Sequence, residues 1–462
     1  MSELKSRKIV VKPPGPKSQE IIKRTQNSVF LPIATRKYTP IVFEEAQGPF
    51  VKDADGNVFI DFANGFTVMV VGHCHPEVVE AARQQLGKLL HVGAHEAYYE
   101  LYTKMAEELA RLASLQDATS QLKKSYLCNS GSEAIDGIIR ISKTFTKRPG
   151  IVAFSGGFHG LNAIGGMSVL GSKSSFKVGS RPLLPEVSFM PYAYCYRCPF
   201  KLNYPECDIA CANYFEYMLD YATNPQDIAL VLMEPIQGEG GYVVPPKEFV
   251  QRIKKLCEKY QILFGVDEVQ TGFAKTGKMF AVEYFDVKPD LMGLAKPIGG
   301  GLPLGAILGR DDLMSVAMAL SGTFGGNPVS CAAGLATLKI IEREKLADRA
   351  ARLGEKVMKR LLDMKEEHKF IGDVRGKGLL IGIEIVKNKE TKAMGAEECF
   401  EIRRRMWEKG VITLAGGLNY HVIRLAPALN IPEEVLDDGV NVFEEALTEV
   451  ERDFPTGVPP KA

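Results

Sequence analysis

From about residue 122 the chain falls into a rhythm of short apolar runs separated by stretches of helical spacing. The runs are SYLCN (125–129), GIVAFSGG (150–157), EVSFMP (186–191), ALVLMEP (229–235), ILFGVDE (262–268), LMGLAK (291–296) and GAILG (305–309). Between several of them, as at 132–146 and 246–260, apolar residues recur at helical intervals. Strands alternating with helices predict an α/β fold with a mostly parallel, seven-stranded sheet covered on both faces. Earlier in the chain, residues 40–62 alternate around VKDADGNVFIDF, which predicts a hairpin turning at Asp55-Gly56. Helical periodicity covers 76–89 and 98–112, and PPGP at 13–16 predicts an extended lead-in. After residue 330 the rhythm changes to a long helical run, a strand pair around GKGLLIGIEIV (376–386), more helix, and HVIRLAPAL (421–429). The expected organisation is a large α/β domain over 66–330, a smaller α+β domain over 331–462, and an N-terminal segment, 1–65, packed with the small domain.

Composition narrows the function classes. A chain of 462 residues with 45% hydrophobic and 24% charged residues has the make-up of a globular protein of two or three domains. A formal net charge of +1 supplies no electrostatic footprint, so neither nucleic acid nor an acidic membrane is an expected partner. No apolar run reaches the length of a membrane span. The first residues, MSELKSRKIVVKPPGPK, are basic but lack the apolar core of a secretory signal. Nine irregularly spaced cysteines then point to a reducing cytoplasm.

The chemistry collects where the runs end. In an open α/β sheet, ligands bind at the carboxyl ends of the strands. SYLC leads into Asn129-Ser130-Gly131-Ser132-Glu133 at a helix start, and IVAFSGG leads into Phe158-His159. Glu234 follows ALVLM, Asp267 follows ILFGV, and Lys296 follows LMGLA just before three consecutive glycines. Each has a plain alternative: a helix cap, a turn aspartate, a core aromatic, a snorkelling lysine. Together they form a set along one sheet edge. A lysine in a largely apolar site becomes a nucleophilic amine whose characteristic use is a Schiff base with a carbonyl compound. Pyridoxal 5′-phosphate requires the other parts: N–H groups of Gly131 and Ser132 for its phosphate, and Asp267 to keep its ring nitrogen protonated. Gln270 is placed to donate to its phenolate oxygen and Phe158 to stack on its ring. The amine of Lys296, once released, becomes a general base at the substrate Cα.

The motifs NSGSEA, GGFHG, MEPIQGEGG, VDEVQTGFAKTGK, LAKPIGGGLPLGA and GTFGGNPVSCAAG resemble class III aminotransferases, the ornithine and 4-aminobutyrate aminotransferase group. The resemblance runs from DADGNVFIDF and GHCHPEVVEA to VIRLAPAL. It implies the pyridoxal-phosphate transferase fold type I, with Lys296 and Asp267 catalytic. It also implies cofactor contacts from Gly131, Ser132, Phe158, His159, Glu234 and Gln270. Thr323, in GTFGGNP, matches a threonine that reaches the phosphate from the other subunit, which implies a homodimer with shared sites. Arg424 matches the arginine that grips a substrate carboxylate, and Glu239 the glutamate that can neutralise it. Phe66 and Leu161 are further positions where side-chain preference is expected to be decided. The implied reaction moves an amino group from an amino acid or ω-amino acid to a 2-oxo acid such as 2-oxoglutarate.

Two features depart from the family pattern. The ω-aminotransferases read HGRT after the stacking aromatic, whereas this chain reads His159-Gly160-Leu161-Asn162. Leu161 cannot hold a distal carboxylate, which leaves Arg424 as the main carboxylate anchor. Bound that way, a substrate presents its Cα to Lys296, and return of the proton to Cα would give racemisation instead of transfer. An amino-acid racemase or epimerase on the same machinery is therefore the alternative. Pro297 after the lysine is the second departure, and it stiffens the backbone there. Other motifs fail on detail. GFAKTGKM (272–279) has methionine where a nucleotide-binding loop needs a hydroxyl, the 299–304 glycines do not complete a dinucleotide motif, and HEAYY (95–99) lacks a zinc protease's second histidine. Cys195, Cys198, Cys207 and Cys211 lie in an insertion at about 192–213, with metal, disulfides or free thiols all open. No metal is needed for the chemistry above.

Overall fold

All seven apolar runs become strands of one sheet. In spatial order they are Leu122–Cys128, Gly305–Arg310, Leu291–Leu294, Leu263–Asp267, Ile228–Met233, Gly150–Phe154 and Val187–Met190. Gly305–Arg310 runs antiparallel to both neighbours, and the remaining pairings are parallel. The computed structural model describes residues 4–29, 39–116, 120–316 and 320–459. Ile228–Met233 and Gly150–Phe154 are buried along their whole length, which is why their sequences run apolar without alternation.

The helix Gly131–Thr146 starts where the first strand ends. Ser130 caps it by accepting the Glu133 N–H at 3.2 Å. Its Ile135, Ile138 and Ile139 join Leu230, Leu232, Leu291 and Ile307 in the core, so the helical spacing becomes one buried stripe. Helices Glu100–Gln116 and Lys247–Tyr260 fall within a few residues of the expected spans.

The chain divides into two compact units, Glu77–Asp348 and the pair Met1–Pro76 with Arg349–Ala462. These divisions fall later than the 65/66 and 330/331 read from sequence. The second shifts because helix Pro328–Arg343 is capped by Asn327 and packs against the 296–299 turn and helix Glu100–Gln116, all in the large unit. The outermost residues, 1–3 and 460–462, lie outside the described residues.

In the discontinuous unit, Phe43–Gln47, Phe50–Asp53 and Val58–Asp61 pair antiparallel in turn, with Asp55-Gly56 in the expected hairpin loop. Val411–Ile412 then adds a parallel strand against Val58–Asp61. A second, antiparallel sheet runs Ile371–Lys377, Leu380–Asn388, Val422–Leu425 and Leu414–Gly416. The expected extended lead-in is corrected in part: Pro16 opens a helix, Pro16–Ser28. Its start is capped from afar, since Asp55 accepts the N–H groups of Lys17 and Ser18 at 2.8 and 2.9 Å. No helix among the described residues is long and apolar enough to cross a membrane.

Candidate active site

Five strand ends deliver their polar residues to one edge of the large sheet. Asp267 ends its strand as the register partner of Gly293 on the neighbouring parallel strand, three residues before Lys296. The amine and carboxylate expected to flank one ring therefore rise from adjacent strands. Lys296 itself begins a short 3₁₀ turn, Lys296–Gly299, and is half-buried. Its φ of 49° lies in the left-handed region, an unfavourable place for a lysine and one that concentrates at functional sites.

The loops interlock through identifiable contacts. His159 donates from Nδ1 to Asp267 Oδ2 at 2.8 Å, and Asp267 Oδ1 accepts the Val269 N–H at 3.0 Å. The aspartate is thus fixed in orientation while each oxygen retains acceptor capacity. Glu234 uses both oxygens as staples: Oε1 accepts the Phe158 N–H at 2.8 Å and Oε2 the Gly238 N–H at 2.7 Å. Gly160, with φ 105°, comes so close to Ser132 that a Cβ would overlap its Oγ. At Gly238 a Cβ would overlap Gln270 Oε1. The structure thereby brings together Gly131, Ser132, Phe158, His159, Glu234, Asp267, Gln270 and Lys296.

Electrostatics follow from burial and pairing. Burial alone would push His159 down, but the hydrogen bond and charge of Asp267, helped by Glu234, hold it above the ordinary histidine value. The contact with Asp267 therefore favours the protonated form of His159. Glu234 is pushed up by burial first, with the Asp267 charge adding and His159 opposing. The other ring nitrogen of His159, Nε2, is buried with no hydrogen-bond partner. The helix start at Gly131 and the cradle closed by Gly160 and Gly238 suit a planar phosphorylated ring. The donor set, one amine, one carboxylate and one amide, suits pyridoxal 5′-phosphate.

The remaining expected residues lie on other segments. Thr323 is exposed in a turn beside Phe324, itself 61% exposed. Phe66 and Arg424 belong to the discontinuous unit. Phe66 is exposed with φ 61°, and Arg424 is buried on Val422–Leu425, donating from Nη2 to the Ala415 carbonyl at 2.8 Å. Glu239 lies in the large unit, ion-paired with Lys173. Lys173 and the buried carboxylate Glu268 escape sequence reading, because neither a lone lysine after Gly171-Ser172 nor a glutamate after Asp267 carries a periodic signal. Cys195, Cys198, Cys207 and Cys211 line one small cavity, and all nine cysteines are thiols. Burial pushes the Cys211 thiol up to about 12. Among the described residues no three His, Cys, Asp or Glu side chains are grouped to hold a metal ion.

The chain also resembles known proteins along most of its length. The family model described as aminotransferase class-III matches residues 33–447. The chain is 39% identical over 446 residues to an alanine/serine racemase of Pyrococcus horikoshii, covering 95% of this chain and 92% of that one. It is 37% identical over 405 residues to a probable 4-aminobutyrate aminotransferase of Bacillus subtilis, covering 87% and 92%. A PLP-bound amine transaminase from an uncultivated Pseudomonas species superposes with a TM-score of 0.84 at 26% identity, covering 91% of this chain and 97% of that one.

Proposed function

The chain belongs to the class-III aminotransferases, a pyridoxal-phosphate family, and from that membership we propose that it transfers the amino group of an amino acid or ω-amino acid to a 2-oxo acid. The observation that carries the reading is the juxtaposition of Lys296 and Asp267 on adjacent strand ends, with His159 clamping the carboxylate. When bound, the cofactor supplies an electron sink that makes the substrate's Cα proton acidic. The chain's own groups do the rest. Asp267 keeps a negative charge at the ring-nitrogen position, and His159 holds that charge in place. Gly131 and Ser132 offer N–H groups to a phosphate, Phe158 covers the ring face, and Gln270 donates at the ring oxygen. Lys296 moves the proton at Cα. Thr323 is assigned to the partner's site. The homodimer this needs is supported by apolar exposure in the same unit, at Leu86, Leu90, Tyr98 and Phe324. A cytoplasmic setting fits nine reduced cysteines.

Racemisation is the second reading, favoured by the similarity to the alanine/serine racemase and by Leu161 where a distal arginine would stand. One experiment separates the two. Holoenzyme is incubated with L-alanine, L-serine, L-ornithine or 4-aminobutyrate, with and without 2-oxoglutarate. Transfer gives an oxo or aldehyde product only when the acceptor is present. A D-amino acid appearing without acceptor replaces the first reading with the second. Lys296→Ala abolishes the visible cofactor band and lowers either activity by about 10³-fold or more. A variant that keeps full activity overturns both readings.

A further inference from the structure

One buried cation stands at the margin of the site and is used by none of the steps above. Lys173 follows Gly171 and Ser172 in a segment tied to the loop that carries Phe158. Gly156 N–H donates to the Gly171 carbonyl at 2.9 Å, and Gly171 N–H donates to the Gly157 carbonyl at 2.8 Å. The Lys173 side chain is 4% exposed, and its ammonium is ion-paired with Glu239 Oε1. The same ammonium sits 5.3 Å from the centroid of Phe176. Phe176 meets Phe158 edge to face, with ring centroids 6.3 Å apart. Glu239 is fixed through its neighbour Gly238, which is stapled to Glu234 and abuts Gln270. Both charges therefore stand on segments whose other residues frame the expected ring site.

A buried ammonium is costly to desolvate unless a carboxylate answers it. Here the pair stands beside the site, in the unit whose Leu161 is apolar at the position where a charged anchor is otherwise expected. Paired, the two charges cancel and leave little field for a ligand. Each half alone is a selector of opposite sign, because a close unscreened charge changes affinity steeply.

We propose that Lys173 and Glu239 form a charge-cancelling pair that sets the enzyme's preference for amino acids with uncharged side chains. This rests on the pyridoxal-enzyme reading above. While the pair is intact, a substrate side chain carrying a second ammonium or carboxylate finds no net opposite charge to offset its desolvation, and a neutral side chain needs none. Removing one member unmasks the other, so the two single variants shift selectivity in opposite senses.

The test uses full-length holoenzyme and the ligands α-methylleucine, α-methylornithine and α-methylglutamate, which lack the Cα hydrogen and bind without that proton transfer. Binding is measured by calorimetry after the cofactor absorbance of each protein is recorded. Wild type binds the leucine analogue best. Lys173→Met tightens the ornithine analogue relative to the leucine analogue by about tenfold, and Glu239→Gln does the same for the glutamate analogue. The double variant returns to the wild-type order and carries the test with Glu239→Gln if Lys173→Met does not fold. Uniform weakening of all three ligands, or a shift of the same sign in both variants, overturns the proposal. A wild type with no cofactor band overturns the underlying reading instead, which keeps the two failures distinguishable.

Discussion

Asp267 owes its orientation to two donors, one from a histidine and one from its own chain two residues on, and the buried acid beside it has a different task. Glu268 is fully buried, accepting the Val282 N–H at 2.7 Å from one oxygen and the Thr271 hydroxyl at the other. It ties the residues after Asp267 to the 281–282 segment. Burial lifts it from 4.5 to about 7, against the opposing pull of those hydrogen bonds. Between those two values the folded chain holds a proton that the unfolded chain has released. Stability therefore falls as pH rises through that window, because the native state binds more protons. Thermal melting of wild type and Glu268→Gln from pH 5 to 8 checks this. The glutamine variant shows the shallower decline, while parallel curves would place the linkage elsewhere. This residue could not be singled out from sequence. A glutamate after a strand-end aspartate looks like any turn residue, and only its closure inside the fold makes it a proton reservoir.

At the scale of elements, the strands and the residues at their ends were legible because burial on both faces forces an unbroken apolar run. The sheet edge then follows from the carboxyl ends of five such runs. Lys296, Asp267 and Glu234 follow from the same rule, each standing directly after such a run. What stayed hidden depended on distant partners. Helix Pro16–Ser28 has one buried residue and no apolar stripe, and its cap comes from Asp55. The closeness of Gly238 to Gln270 is of the same kind, joining loops from two different strands. It yields a sharp expectation. Gly238→Ala introduces a methyl that must displace the Gln270 side chain, at the cost of about one hydrogen bond to the cofactor. Titration of apoenzyme with pyridoxal phosphate then gives a Kd about tenfold weaker, with the fold intact by circular dichroism. An unchanged Kd would mean that Gln270 does not contact the cofactor.

For the whole molecule, the proposed homodimer makes a claim that single-chain reasoning cannot. If Thr323 completes the partner's site, defects on separate chains complement. A hybrid of a Lys296→Ala subunit and a Thr323→Val subunit carries one site with both native residues. At limiting cofactor such hybrids recover about half of wild-type activity, whereas each parent stays low. No recovery would mean that Thr323 serves its own chain.

The division of the chain carries a further consequence for how it is made. The large unit is continuous from Glu77 to Asp348, but the other is assembled from the two ends of the polypeptide. During synthesis Phe59 and Ile60 leave the ribosome early, yet the strand that pairs beside them, Val411–Ile412, is translated only near the end. Domains fold as units while the chain emerges, so the nascent amino-terminal hairpin must wait with apolar side chains uncovered until the rest arrives. Truncations that remove the last hundred or so residues should therefore leave the amino-terminal segment sticky and dependent on chaperones, even though the sheet bearing Lys296 has all its strands.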